Sequence, residues 1–286
     1  MLYLSSMWKR ESEVLLKDRS VQLATGLLVG LVLWWVVLQL MYSGDTGIMP
    51  KMIWGASYQI MSLLGGIWGM KIAFDWGGEK SVVGRLLIAF AAGLLLQTFG
   101  QSIFSYYNLF SAIAIPYPSL ADIGYFGSIV FYIYGVAMLA QVSGAHLSFR
   151  SLKTIAIAIA VPTIMIGLAY VYFLQGYDFV EAPLSQVILD FGYPIGQSIY
   201  VSVAMLAYLL TTSSLGGAMK HRVLFILVAM AIQYLADFNF LYQAVHESWS
   251  VSGYGDLIYL FAYFFLTIGL IQMKTEYVLS SEQAAD

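Results

Sequence analysis

The chain has 286 residues, 60% of them hydrophobic and only 10% charged, with a mean hydropathy of +0.79. Soluble domains carry about 25% charged residues, so this composition points to a polytopic protein whose solvent is lipid. With no cysteine, a formal net charge of −3 and no long basic run, it excludes disulfides, thiolate catalysis, Cys-ligated metal and nucleic acid as a partner.

Met1–Ser20 is mixed and charged, with no small-residue cleavage site, and reads as a cytoplasmic segment rather than a signal peptide. Within it, Trp8–Arg19 reads equally as a helix lying on the membrane surface or as a solvated extension of the first span. Eight apolar runs then reach the roughly 20 residues a span needs. They are Val21–Tyr42, Met52–Phe74, Leu86–Tyr107, Asp122–Ser143, Lys153–Leu174, Ser185–Thr212, Val223–Ala244 and Gly255–Met273. A transmembrane domain over 21–273 and a cytoplasmic tail over 274–286 follow. With the N-terminus inside, twelve Lys and Arg residues fall on the inner side and only Lys51 on the outer. That bias predicts an all-α integral protein of the plasma (inner) membrane, with both termini cytoplasmic.

An internal repeat runs through the even-numbered segments. Asp122-x-x-Tyr125, Asp190-x-x-Tyr193 and Asp256-x-x-Tyr259 are 68 and 66 residues apart. Gly55-x-x-Tyr58 holds the corresponding place in the second segment, and "VAML" recurs at Val136–Leu139 and Val203–Leu206, 67 residues apart. The spacing predicts four helical hairpins of about 67 residues, with the motif at the outer end of each even helix.

Residues i and i+3 share a helix face, so each Asp lies one turn from its Tyr. Asp122 and Asp256 open their helices, and Ser119 with Asp122 has capping-box spacing. For these two, capping competes with ligand binding. Asp190 lies about 7 Å below the outer end and Asp237 about 8 Å, where a charge must face the bundle or water. Interhelical hydrogen bonding is the plainer reading for both. Gln101, Tyr193 and Tyr242 map to the same outer half. The seven residues predict an outward-facing pocket, with Asp190 and Asp237 as main ligands. Carboxylates among aromatic faces suit a small cation or polar ligand, an amine above all.

Other features are blander. In the first segment the run "LLVGLVLWWVVLQL", polar only at Gln39, reads as lipid-facing; Gly65, Gly66 and Gly69 read as a helix-packing surface. Lys71 is too near the inner surface for a retinal Schiff base, and His146, His221 and His246 fall in loops, which argues against haem; no cofactor is expected. Pro162 and Pro194 are expected to kink their helices, Pro194 beside the acids.

Gly253, Gly255 and Asp256 spell the G-x-G-D that resembles the catalytic string of intramembrane aspartyl proteases of the presenilin and prepilin-peptidase kind. Asp237 would be the second carboxylate. No P-A-L string follows, "YLAD" replaces the expected Tyr-Asp, and the repeat explains the position of Asp256, so no catalytic residue is assigned. The strings "PYPSLADIGYF", "LDFGYP" and "YLADFNFLYQ…GYGDLIYLFAY" together resemble, over Pro116–Gln272, the multi-helix sensor regions that precede bacterial histidine-kinase or diguanylate-cyclase domains. Those regions carry P-S-x-A-D-x-x-Y and D-x-x-Y-P strings on successive helices. The resemblance implies a receptor-like membrane module, standing here without an output domain and signalling through a separate partner or a second copy. A cation- or proton-coupled transporter, an intramembrane enzyme and a structural subunit of a larger complex stay open beside it.

Overall fold

The computed structural model describes residues 15–111, 115–142, 152–175, 177–180, 182–211 and 217–277. Most of Trp8–Arg19, His146, Arg150 and the tail beyond residue 277 lie outside the described residues. The described residues form helices and no strand. They are α1 (Arg19–Met41), α2 (Met49–Ser57), α3 (Ile60–Asp75), α4 (Val82–Phe110), α5 (Leu120–Val142), α6 (Leu152–Ala169), α7 (Leu184–Thr211), α8 (Gly217–Val245) and α9 (Tyr254–Ile271). A 3-10 turn, Gly78–Lys80, precedes α4, and α6 ends in a π turn over Tyr170–Leu174.

Local chemistry sets the helix starts. The Asp18 carboxylate accepts the Ser20 N–H at 2.6 Å and opens α1, while Ser81 Oγ accepts the Gly84 N–H at 2.8 Å and opens α4. A proline stands in the first turn of α2, where its missing N–H costs nothing. Among the described residues, six helices have the length and apolar character to cross a membrane: Arg19–Met41, Val82–Phe110, Leu120–Val142, Ile155–Leu174, Arg222–Val245 and Tyr254–Ile271. The second expected span is divided between α2 and the 16-residue α3, and the sixth is α7, 28 residues long but carrying Asp190, Pro194 and Gln197.

α4 packs between α3 and α5, α9 packs on α8, α3 and α1, and α7 joins α5 to α6 and α8. The glycines of α3 allow the closest approach. A Cβ at Gly65 would stand 2.1 Å from Thr267 Oγ1, one at Gly66 2.6 Å from Leu95, and one at Gly69 2.7 Å from Leu270. α1 buries a single stripe (Val21, Ala24, Leu31, Trp35 and Leu38) at helical spacing. Its other faces are exposed, Leu23 and Leu33 by 61% each, as expected of a helix that meets lipid. Gln39 is nonetheless engaged: its Nε2 and Trp35 Nε1 both donate to the Ser252 carbonyl at 2.8 Å.

The opposite end of α1 is tied by charge. Asp18 accepts hydrogen bonds from Lys274 Nζ and the Tyr277 hydroxyl, and Arg222 Nη2 donates to the Tyr277 carbonyl at 2.8 Å. Burial works to raise the Asp18 carboxyl, but the hydrogen bonds from Lys274, Tyr277 and Ser20, with the Lys274 charge, outweigh it and hold the group at about 2. Because the folded value is depressed from 3.8, the stabilisation is complete above about pH 4 and is lost as pH falls through about 2. Asp18→Asn should therefore lower the melting temperature in detergent at pH 7, with the gap to wild type narrowing below pH 4. A gap independent of pH would refute the assignment.

Candidate functional site

Asp122, Asp190, Asp237 and Asp256 all line one cavity of about 800 Å³ enclosed by α2, α4, α5, α7, α8 and α9. No Lys, Arg or His stands among its described lining residues. The cavity reaches the chain connections at Tyr117, Tyr177 and Trp249, so it lies toward one end of the bundle. Each carboxylate is held there by its own donors.

Asp122 sits in the first turn of α5. Its Oδ2 accepts the Ser119 N–H at 2.7 Å and Ser119 Oγ at 3.3 Å, while Ser119 Oγ accepts the Ala121 N–H at 3.2 Å. This is the local reciprocal cap expected from the Ser119/Asp122 spacing. Its Oδ1 faces inward and accepts the Tyr193 hydroxyl at 2.9 Å. Asp256, buried in the first turn of α9, accepts the Ser252 N–H at 2.8 Å, with the Tyr58 side chain beside it. The glycine in the first motif copy now has a reason. A Cβ at Gly55 would stand 2.6 Å from Val251 Cγ2 and 3.9 Å from Asp256 Oδ2, so a carboxylate there would clash sterically and electrostatically.

The two deeper acids are not caps. Asp190 takes one tyrosine on each oxygen, Tyr117 on Oδ1 and Tyr177 on Oδ2, both at 2.6 Å. Desolvation, followed by the bond to Asp190, pushes the Tyr177 phenol up to about 12, and the same causes raise Tyr117 further. Both therefore remain donors at neutral pH. Pro194 lies inside α7 and brings no N–H to the Asp190 carbonyl four residues back. Asp237 Oδ1 accepts the Tyr259 hydroxyl at 2.7 Å and Gln233 Nε2 at 3.1 Å; its Oδ2 stands 3.5 Å from the Tyr200 hydroxyl.

The i,i+3 geometry aims Asp and Tyr of each motif into the bundle, but they do not bond each other. Tyr125 donates to Gln101 Oε1 at 2.6 Å, Tyr193 to Asp122 and Tyr259 to Asp237, in every case on a neighbouring helix. Gln101 completes its set by donating to the Gly55 carbonyl at 3.1 Å. Deeper in the same helices, the Tyr263 hydroxyl donates to Gln97 Oε1 at 2.9 Å and Gln97 Nε2 donates to Ser128 Oγ at 2.8 Å.

Of the seven expected site residues, six thus line the cavity. Tyr242 does not; its ring lies 6.1 Å from Tyr172 and 4.2 Å from His246, away from the carboxylates. Residues the sequence reading omitted are Tyr58, Tyr125 and Tyr259, already present in the motif copies, and Tyr117 and Tyr177. The last two sit in connections where no periodic signal marks them. Part of the lining is an apolar aromatic cluster. Phe104, Phe240 and Trp249 meet edge-to-face, with centroids 6.4, 5.3 and 6.3 Å apart.

Among the described residues, fold and site together define an all-helical protein with six helices long and apolar enough to cross a membrane and a cavity lined by four carboxylates. Neither a protein-family profile, a curated protein nor a solved structure matches the chain.

Hydrogen bonds to charged groups contribute about 1.5–3 kcal/mol each. Tyr193→Phe and Tyr259→Phe should each lower unfolding free energy by that order in mixed micelles. Tyr242→Phe should change it by less than about 0.5 kcal/mol, as at a site without such a partner.

Proposed function

We propose that this is a membrane-embedded binding protein that senses a small cationic ligand from the outer side and passes the signal to a separate partner. The observation that carries the reading is a cavity with four carboxylates and no basic side chain in its described lining. A cation is the missing counter-charge, and the tyrosine and phenylalanine rings supply the faces it prefers. The volume of about 800 Å³ lies within the range of small-molecule sites. The resemblance of the motif strings to bacterial sensor regions agrees with this role.

The same reading takes the chain as eight spans in four hairpins, in the plasma membrane, with both termini cytoplasmic. Two features support the count. Tyr58 and Gln59, between α2 and α3, keep right-handed helical dihedrals, so the helical path runs on over Met49–Asp75 and has the length of one crossing. Leu184–Thr211, with 28 residues, is long enough for another.

A cation-coupled transporter is the second reading. It is favoured by helix irregularities in the elements around the cavity: Pro194 in α7, the joint at Tyr58 and the π turn that ends at Leu174.

In detergent, millimolar ethylammonium should raise the melting temperature of the wild type and leave Asp237→Asn unshifted. Equal shifts would count against the site. Ethylamine uptake into proteoliposomes would move the assignment to the transporter. Topology is checked on the cysteine-free background. A membrane-impermeant maleimide should label Ser248→Cys in intact cells, and Glu79→Cys after permeabilisation alone.

A further inference from the structure

Building on the cation-binding reading of this cavity, we infer that its ligand is an amphiphilic monoamine. The ammonium sits at the deep end beside Asp237, and an aromatic or alkyl body runs outward along α8. The wall supplied by α8 is graded in polarity. Asp237, Phe240, Leu241, Ala244 and Val245 all line the cavity, and their spacing places them on one helix face. Eight residues of helix from Asp237 to Val245 span about 12 Å. A single carboxylate thus stands at one end of this face, and the lining residues beyond it on α8 are apolar. Trp249 extends the apolar lining beyond the end of α8, and Phe104 closes it from α4.

Hydrogen bonds and burial explain why one carboxylate, rather than four, is the anchor: Asp256 is buried in the first turn of α9, whereas Asp237 keeps partial exposure. Both oxygens of Asp190 already accept short bonds from tyrosines. Both oxygens of Asp122 are also engaged, one by Ser119 and one by Tyr193. On Asp237 the short bonds fall on Oδ1, and Oδ2 has a contact of 3.5 Å, which leaves an acceptor for an ammonium N–H. A polyamine would lay its second and third charges against the apolar side chains of Phe240, Leu241 and Val245. An amine without an apolar body would leave the Phe104–Phe240–Trp249 wall uncovered.

The test compares protonated 2-phenylethylamine with ethylamine, spermidine and uncharged 2-phenylethanol, by thermal shift and calorimetric titration of the whole chain in detergent. Phenylethylamine should bind at least about tenfold tighter than ethylamine or spermidine, since burying a ring is worth more than one decade in affinity. Phenylethanol should not bind. Phe240→Ala should weaken phenylethylamine about tenfold and leave ethylamine unchanged. That variant keeps the carboxylate network intact, and Phe240→Leu, with an intermediate loss, serves if it does not fold. Spermidine or ethylamine binding as tightly as phenylethylamine would overturn this inference and leave the cation-binding reading standing. Binding by none of the cations would overturn both.

Discussion

A carboxylate among hydrocarbon has to be supplied with donors, and here the donors are tyrosine hydroxyls from the neighbouring helix. Tyr193 of α7 reaches Asp122 of α5, and Tyr259 of α9 reaches Asp237 of α8. Tyr125 makes the same move toward Gln101 of α4. Each bond satisfies a polar group that has little water to turn to and fixes the separation of two helices at one tyrosine's reach. The helix contacts around the cavity depend on this exchange.

The two sides of the bundle solve the packing problem differently. Between α3, α4 and α9 the side chains are trimmed away: at Gly65, Gly66 and Gly69 a Cβ would come within 2.1–2.7 Å of its neighbours. Around the cavity the helices are held apart by rings and by hydrogen bonds that need a phenol's length. The space between them remains because the polar network spans it at its edges. α9 takes part in both, carrying Asp256 and Tyr259 at one end and meeting the α3 glycines through Thr267 and Leu270 further along.

The ends of α1 show the same economy in polar groups. At one end Trp35 and Gln39 share the Ser252 carbonyl; at the other Asp18 gathers Lys274 and Tyr277. A helix that leaves most of its surface exposed is located by a few directional bonds rather than by burial. Gln39, the lone polar residue in an apolar run, marked one of those bonds. The sequence could not say that its partner lay 213 residues away.

Helix-forming runs and the common facing of Asp and Tyr were legible in the sequence, because they follow from local quantities: hydropathy and the i,i+3 relation. The Ser119–Asp122 cap was legible for the same reason, as its partners are three residues apart. Which hydroxyl each carboxylate takes was not legible, since Asp190 draws on Tyr117 and Tyr177, 73 and 13 residues away, from connections without periodicity. Nor could depth alone separate Tyr242 from Tyr193: both map to the same half of the bundle, and only the helix rotation turns Tyr193 toward Asp122 and Tyr242 toward Tyr172 and His246. The sequence by itself thus determined that polar residues would collect at one end of a helical membrane bundle. The tertiary structure decided that four carboxylates share one cavity and that a glycine must replace the fifth at Gly55, because those outcomes depend on distances between helices that no local pattern encodes.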